Sequence, residues 1–156
     1  MTRMDDIVNI LGENQENTDL RSRQINVWVQ KFLRGEGDNA KLADTLLGYD
    51  NLVVGPIEYP LSKVVNILGP TTDYKFFEDE LVLNERVDKM VSSIQNGWIP
   101  SPLILTNIWE NHLELADGGH RHRALLKAGH KTHPVILYFR DNQTKEKFIS
   151  THSTIK

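Results

Sequence analysis

The amino-acid sequence predicts a small α/β (α+β) fold, in which a mixed β-sheet packs with helices and follows an N-terminal helical extension. Apolar residues recur at helical spacing in the first 50 residues, and strand-like apolar runs begin after that point. The second half has the order helix, strand, strand, glycine turn, helix, strand, which is typical of such a fold. With 156 residues, 39% of them apolar and 25% charged, the chain can bury one hydrophobic core.

The chain divides by composition into three predicted parts. These are an N-terminal helical extension over residues 1–50, a central domain over residues 51–140 and a polar C-terminal tail over residues 141–156. We expect the tail to fray, apart from one helical turn near residues 145–149.

Two helices are predicted in the N-terminal extension. Apolar residues at helical spacing, among them Trp28 and Phe32, predict a helix over Thr18–Arg34. A shorter apolar stripe predicts a second helix over residues 39–47, which ends at Gly48. The apolar stripe through Trp28 and Phe32 must be buried against another surface, which either the central domain or a second subunit can provide.

The first part of the central domain has strand-like runs separated by turn residues. Residues 52–54 and 57–61 predict two short strands with a turn at Gly55-Pro56 between them. Residues 62–68 fit a short helix or a strand, and both alternatives stay open. A turn and a loop with some helical tendency follow as far as residue 83.

A helix is predicted to begin next to Asn84. Asn84 is a good N-cap residue, and Gly97 supplies the stop. The apolar stripe of this helix consists of Val87, Met90, Val91 and Ile94.

The remaining elements form the predicted sheet around a glycine turn. Residues 103–105 and 108–109 predict one strand, and the alternating residues 112–116 predict its antiparallel return. A helix over about residues 120–128 follows the glycines, and Pro134 introduces the last strand. Trp109 adjoins a turn, and we expect its ring to be exposed.

Composition excludes several functional classes. The chain has no cysteine, which excludes disulfides, thiolate catalysis and cysteine-bound zinc. Its net charge of -3 provides no overall basic surface for duplex DNA. No apolar run is long enough to cross a bilayer, and the acidic start does not resemble a signal peptide. We therefore expect a cytoplasmic protein that makes no membrane contact.

The segment with the most chemical interest is residues 117–124, which reads Asp-Gly-Gly-His-Arg-His-Arg-Ala. Two glycines allow a tight turn and leave backbone N–H groups uncovered. The first N–H groups of the following helix lack internal partners and carry the positive end of its dipole. Nearby histidines and arginines add donors, so the pattern predicts a phosphate site. An ordinary turn before a solvated helix face fits the same residues.

These residues resemble the ParB/sulfiredoxin superfamily, and the resemblance covers residues 54–139. It implies a nucleoside di- or triphosphate held by the glycine turn and the helix after it. The matching motifs, in order, are residues 57–61, residues 87–94, Gly97, residues 102–105, residues 113–118, the pair His120-Arg121, Ala124, Gly129 and residues 134–135.

The branches of this superfamily differ at the position of Gly119. Sulfiredoxins carry a reactive cysteine there, so that activity is excluded. Partition proteins carry Gly-Glu-Arg-Arg-x-Arg, which binds CTP; only its last two arginines match, and we expect no room for their helix-turn-helix domain after the last strand. The closest local similarity is to the Asp-Gly-His-His-Arg pattern of free serine kinases, which Asp117, Gly118, His120 and Arg121 match.

The resemblance to the kinase branch implies roles for individual residues. Asp117 and His120 would be catalytic, with an upstream glutamate as base; Glu58 is the first candidate, followed by Glu78, Glu80 and Glu85. The phosphate-binding set would be Gly118, Gly119, His120, Arg121 and Arg123.

The implied cofactor is a nucleotide, ATP, ADP or CTP, with Mg²⁺, which needs only one or two carboxylates of the protein. No protein metal site is predicted from the histidines, because His120 and His122 are two positions apart and do not share a helix face.

We therefore favour a Mg-nucleotide-dependent phosphotransferase or nucleotide hydrolase. On this interpretation, the variant Arg121→Ala folds but loses its stabilisation by nucleotide. One alternative is a ParB-like module, related to plasmid, phage or chromosome partition, that binds nucleic acid or protein without catalysis. Its N-terminal helices could then form a homo-oligomer interface. A ParB-like nuclease is a further alternative.

Overall fold

The computed structural model describes residues 18–152, with side chains from residue 20, and its architecture is mixed α/β as predicted. Residues 1–17 of the predicted extension and 153–156 of the tail lie outside the described residues. The helices are α1 Thr18–Arg34, α2 Ala40–Leu46, α3 Glu80–Gln95, α4 Gly119–Lys127 and α5 Asn142–His152. The strands are β1 Val53–Pro60, β2 Leu68–Gly69, β3 Phe76–Phe77, β4 Leu103–Thr106, β5 Glu114–Asp117 and β6 Thr132–Tyr138.

The main sheet has four strands in the order β1-β6-β4-β5. The outer pairs β1/β6 and β4/β5 are antiparallel, and the central pair β6/β4 is parallel. Strands β2 and β3 form a separate parallel pair. Strand β5, which leads into the glycine turn, is therefore an edge strand, and β1 is the opposite edge.

The N-terminal helices cover one face of the main sheet. The rings of Trp28 and Phe32 stack with centroids 5.0 Å apart and are buried together with Ile104 and Ile136 of the sheet. Helix α1 is confirmed at its predicted bounds, and α2 agrees with its prediction to within one residue at each end. The sheet of the same chain thus covers the stripe, and the alternative of cover by a second subunit is wrong for these two side chains. One hydrophobic core crosses the predicted boundary at residue 50.

The opposite face of the sheet packs against α4 and α5. Leu125 of α4 and Phe148 of α5 are buried against this face, and the rings of Phe148 and Phe139 lie 5.3 Å apart. The prediction of a fraying tail is therefore wrong for residues 142–152, which form an ordered helix. A single buried ring anchors it, so the tail shows little apolar periodicity.

Helix α3 begins five residues earlier than predicted. Asp79, and not Asn84, is its N-cap, and the Asp79 carboxylate accepts from the N–H groups of Leu81 (3.1 Å) and Val82 (3.4 Å). Both of these side chains are exposed, so the buried face of the helix begins only at Leu83.

Two predicted strand boundaries are also corrected. Gly55-Pro56 is not a turn between strands but a bulge inside β1. A Cβ on Gly55, whose φ is +123°, would lie 2.7 Å from the carbonyl oxygen of Val135, so this close approach needs glycine. Strand β4 ends at Thr106, whose hydroxyl donates to the Tyr138 carbonyl and accepts from the Ile108 N–H, and this turns Ile108 and Trp109 away from the strand.

Residues 62–68, whose form the sequence left open, are largely neither helix nor strand. Leu61–Lys63 form one short 3-10 turn, and β2 begins only at Leu68. None of the helices within residues 18–152 is long and apolar enough to cross a membrane.

Candidate functional site

Both glycines of the predicted turn are required by local packing. Gly118 is the N-cap of α4 with φ of +112°, and a Cβ there would lie 2.7 Å from Cδ2 of Leu103. A Cβ on Gly119 would lie 2.9 Å from Cβ of Leu68. The glycine pair therefore permits a left-handed cap and close contact with the chain near residue 68, whether or not a ligand binds.

The start of α4 offers uncapped backbone donors. The first N–H to donate within the helix is that of His122, to Gly118 O at 2.8 Å, and Gly118 supplies no side-chain cap. The N–H groups of Gly119, His120 and Arg121 have no hydrogen-bond partner among residues 18–152. Free donors at the positive end of a helix dipole favour an anion, as the sequence predicts.

A cavity of about 600 Å³ opens at this helix start. It lies at the β5 edge of the sheet, between α2 and the segment 66–76, and its size is typical of a small-molecule site. The lining residues are Asn39, Lys41, Leu42, Thr45, Asn66, Ile67, Leu68, Lys75, Phe76, Trp109, Glu114, Leu115, Ala116, Asp117, Gly118, Gly119 and His120.

Asp117 lines this cavity but is held by two side chains. Its Oδ1 accepts from Nδ2 of Asn39 at 3.3 Å, and its Oδ2 accepts from Nη2 of Arg121 at 3.2 Å. Asn39 is also the N-cap of α2, through an N–H of Leu42. Asp117 thus ties the N-terminal helices to α4, which suits a positioning residue better than a free catalytic base.

The two predicted phosphate-binding arginines do not line the cavity. Arg121 donates to the carbonyl of Pro102 as well as to Asp117, and its guanidinium lies 5.1 Å from the ring centroid of Phe32. Burial lowers the pKa of Arg121, against the opposing effect of Asp117.

Arg123 donates to the carbonyl of Leu68 at 2.7 Å and packs on the Tyr74 ring. Both guanidinium groups bind the protein itself, so neither is positioned as predicted for a phosphate.

The structure places Glu58 far from the glycine turn. It is exposed on β1, where it pairs with Pro134 of β6, so the whole main sheet separates it from Asp117 on β5. Three spacings between neighbouring strands amount to about 14 Å, too far for any direct contact. Glu80 and Glu85 are exposed on α3 and do not line the cavity.

Glu78 is the glutamate that reaches the glycine turn. Its Oε1 lies 2.7 Å from Nε2 of His120, and its Oε2 lies 3.4 Å from a guanidinium nitrogen of Arg86. Because a carboxylate only accepts, we assign the proton to Nε2, which leaves a lone pair on Nδ1 of His120. A histidine oriented in this way beside a cavity has the arrangement of a general base.

His122 has a structural role on the other side of α4. Its Nε2 donates to the carbonyl of Leu61 at 2.9 Å, and its Nδ1 accepts from Nδ2 of Asn66 at 3.1 Å. The second Nδ2 hydrogen of Asn66 goes to the carbonyl of Gly119 at 3.0 Å. These bonds fasten the segment at residue 66 to α4.

We expect the protein to lose stability as the pH falls below about 6.5. Burial, opposed by bonds to backbone carbonyls, lowers the pKa of His122 and of His133 from the ordinary 6.5. As the pH falls, these histidines therefore bind protons in the unfolded chain before they do so in the folded protein. Their contribution to the free energy of unfolding is complete above the unfolded pKa and is lost as the pH falls toward the folded pKa. Urea unfolding at about pH 7.5 and about pH 5.5 measures the loss. His122→Gln should weaken this dependence, whereas the exposed control His130→Gln should not; equal dependence in both variants would contradict the assignment.

Several cavity residues were not predicted from the sequence. Asn39, Lys41, Asn66, Lys75 and Glu114 reach the site from distant parts of the chain. Glu114 alone carries a local signal, because it is a charged residue between two leucines of a short strand. Trp109 is exposed, as predicted, and also lines the cavity.

No family model, no curated protein and no solved structure matches this chain.

Proposed function

We propose that this protein binds a nucleotide in the cavity at the start of α4 and transfers or hydrolyses its terminal phosphoryl group. The observation that carries the proposal is the combination of uncapped N–H groups of α4 with the Glu78–His120 pair at one cavity. The first element suits a phosphate, and the second suits a proton transfer.

The phosphates would contact the N–H groups of Gly119 and His120 and the ammonium group of Lys41. Lys41 lines the cavity and has no ion-pair partner among the described residues, so its charge is free to meet an anion. This set replaces Arg121 and Arg123 as the phosphate ligands.

In the proposed reaction, Nδ1 of His120 takes the proton from the attacking hydroxyl, which belongs to water or to an acceptor. The hydroxyl oxygen forms a bond to the terminal phosphorus, the bond from that phosphorus to its bridging oxygen breaks, and the nucleotide shortened by one phosphate leaves. Glu78 orients the ring and stabilises the imidazolium that forms, as a carboxylate does for a catalytic histidine. The N–H groups of α4 offset the negative charge on the phosphoryl oxygens in the transition state. The proton then passes to solvent or to the product.

The described side chains do not enclose a metal ion by themselves. Residues 18–152 have no group of three or more His, Asp or Glu side chains that could hold one, and each oxygen of Asp117 already accepts a hydrogen bond. Every step of the proposed reaction is assigned to the protein's own groups. A magnesium ion that enters bound to the phosphates stays a prediction.

The resemblance to the ParB/sulfiredoxin superfamily supports the same proposal, since its motifs over residues 113–118 and the pair His120-Arg121 include the glycine turn. Membership of that superfamily, its specific fold and a cytoplasmic location stay predictions. So do the alternatives of a nucleic-acid- or protein-binding module, a nuclease and a homo-oligomer.

The proposal predicts that inorganic triphosphate and nucleotides raise the melting temperature, with or without magnesium. At a ligand concentration of 100 times Kd the gain is about 2.7 kcal/mol. Lys41→Ala should reduce the shift, whereas Lys31→Ala, an exposed lysine of α1 outside the cavity, should not. The absence of any shift with triphosphate, ATP, ADP, CTP and GTP would contradict the proposal.

A further inference from the structure

Two aromatic side chains line the cavity with much of their surface exposed. Phe76 of β3 is 60% exposed and Trp109, after β4, is 52% exposed. Exposed aromatic rings on a cavity wall are a favourable surface for stacking a flat ring, and base–aromatic stacking is a common source of nucleotide affinity.

Glu114 supplies a buried acceptor in the same cavity. Its side chain is only 3% exposed, and its Oε1 accepts from Nζ of Lys75 at 2.7 Å. No described residue donates to Oε2, and this oxygen is not among the fully buried polar atoms that lack a partner, so it keeps some exposure at the cavity that Glu114 lines. Oε2 can therefore accept a hydrogen bond from a ligand in the cavity.

Lys75 places a donor next to this acceptor. Its ammonium donates to Glu110 at 2.6 Å and to Glu114 at 2.7 Å, which leaves one of three N–H bonds for another acceptor. The hydrogen bond to Glu110, followed in size of effect by the bond to Glu114, raises the pKa of Lys75, so the ammonium group stays charged. The cavity thus presents a carboxylate and an ammonium side by side, near two aromatic rings.

We propose that these four side chains bind a guanine base, so that the nucleotide of the proposed function is a guanine nucleotide; this inference rests on that function. Guanine carries two neighbouring donors, N1–H and the N2 amino group, beside the acceptor O6. The donors match the two oxygens of Glu114, and O6 matches Lys75.

Other bases fit this pair less well. Adenine and cytosine each place a ring-nitrogen acceptor beside their amino group, and that acceptor would face the Glu114 carboxylate. Discrimination follows, because a mismatched buried polar pair is left unsatisfied. Hypoxanthine keeps N1–H and O6 but lacks the N2 amino group, so it should rank between guanine and adenine.

The test is a set of dissociation constants for GDP, IDP, ADP, CDP and inorganic triphosphate, measured by calorimetry. GDP should bind about 5- to 150-fold more tightly than ADP, the range of one bidentate base contact, with IDP between them. Equal affinity for GDP, IDP and ADP would overturn the guanine assignment. If triphosphate still binds in that case, the proposed function stands; if no phosphate ligand binds, both fail.

A matched pair of variants separates the base contact from the Lys75 ion pairs. Glu114→Gln should abolish the preference for GDP over ADP and improve binding of xanthosine diphosphate, because the new amide can donate to the xanthine O2. Glu110→Gln removes the other Lys75 partner, which does not line the cavity, and should keep the preference. An unchanged GDP/ADP ratio in Glu114→Gln would overturn the inference. The GDP/IDP ratio of the unaltered protein tests it even if this variant fails to fold.

Discussion

Arg121→Ala is expected to destabilise the folded protein by about 3–5 kcal/mol, the usual effect of removing one partner of a buried ion pair. The side chains of Arg121 and Asp117 are only 11% and 12% exposed. Without the guanidinium, Asp117 keeps a buried carboxylate with Asn39 as its remaining partner, and the Pro102 carbonyl loses its donor.

This expectation differs from the one based on the sequence, in which the variant folds normally and loses only its nucleotide. Urea unfolding of Arg121→Ala measures the loss, and Arg121→Lys retains the charge if the alanine variant does not fold. The control is Arg34→Ala, whose ion pair with Asp44 is exposed and should contribute about 1 kcal/mol or less. Equal unfolding free energies for the two alanine variants would contradict the structural role of Arg121.

His120→Gln is expected to slow phosphoryl transfer by about 10²- to 10⁴-fold, the usual contribution of a general base. The reason is that glutamine cannot take the proton from the attacking hydroxyl. Nucleotide affinity should change much less, because the N–H groups of α4 and Lys41 remain. Single-turnover release of phosphate, measured together with Kd, separates the two effects.

Glu78→Gln tests whether the carboxylate positions the histidine. It should lower the single-turnover rate and leave the nucleotide Kd nearly unchanged, a split that a loss of the folded structure would not produce. His130→Gln, an exposed histidine outside the cavity, is the control and should retain the full rate. An unchanged rate in His120→Gln would refute this assignment of the base.

Sequence patterns predicted the helices whose buried stripe or capping residue lies within the helix segment itself. The buried stripe of α1 and the Asn39 cap of α2 lie within short segments, so both helices are readable from the sequence. The start of α3 was missed because Leu81 and Val82 face solvent, and α5 was missed because Phe148 alone anchors it.

The candidate site shows the same division. The glycine turn was predicted from a contiguous segment, and its uncapped N–H groups follow from helix geometry. The Glu78–His120 pair spans 42 positions and depends on the packing of α3 against α4, which no local spacing encodes. Glu58 was chosen because it lies in a strand, but only the strand order shows that β1 and β5 are opposite edges.

The close contact at Gly119 limits which chemistry this chain can acquire by mutation. The resemblance predicted from the sequence implies a cysteine or a glutamate at this position in other branches of the superfamily. Here a Cβ would lie 2.9 Å from Leu68 and 3.2 Å from Oδ1 of Asn66, so neither side chain fits without moving that segment. A side chain at this position would therefore need further substitutions near residues 66–68 to make room for it. A single substitution at Gly119 is not expected to give the chain a new reaction.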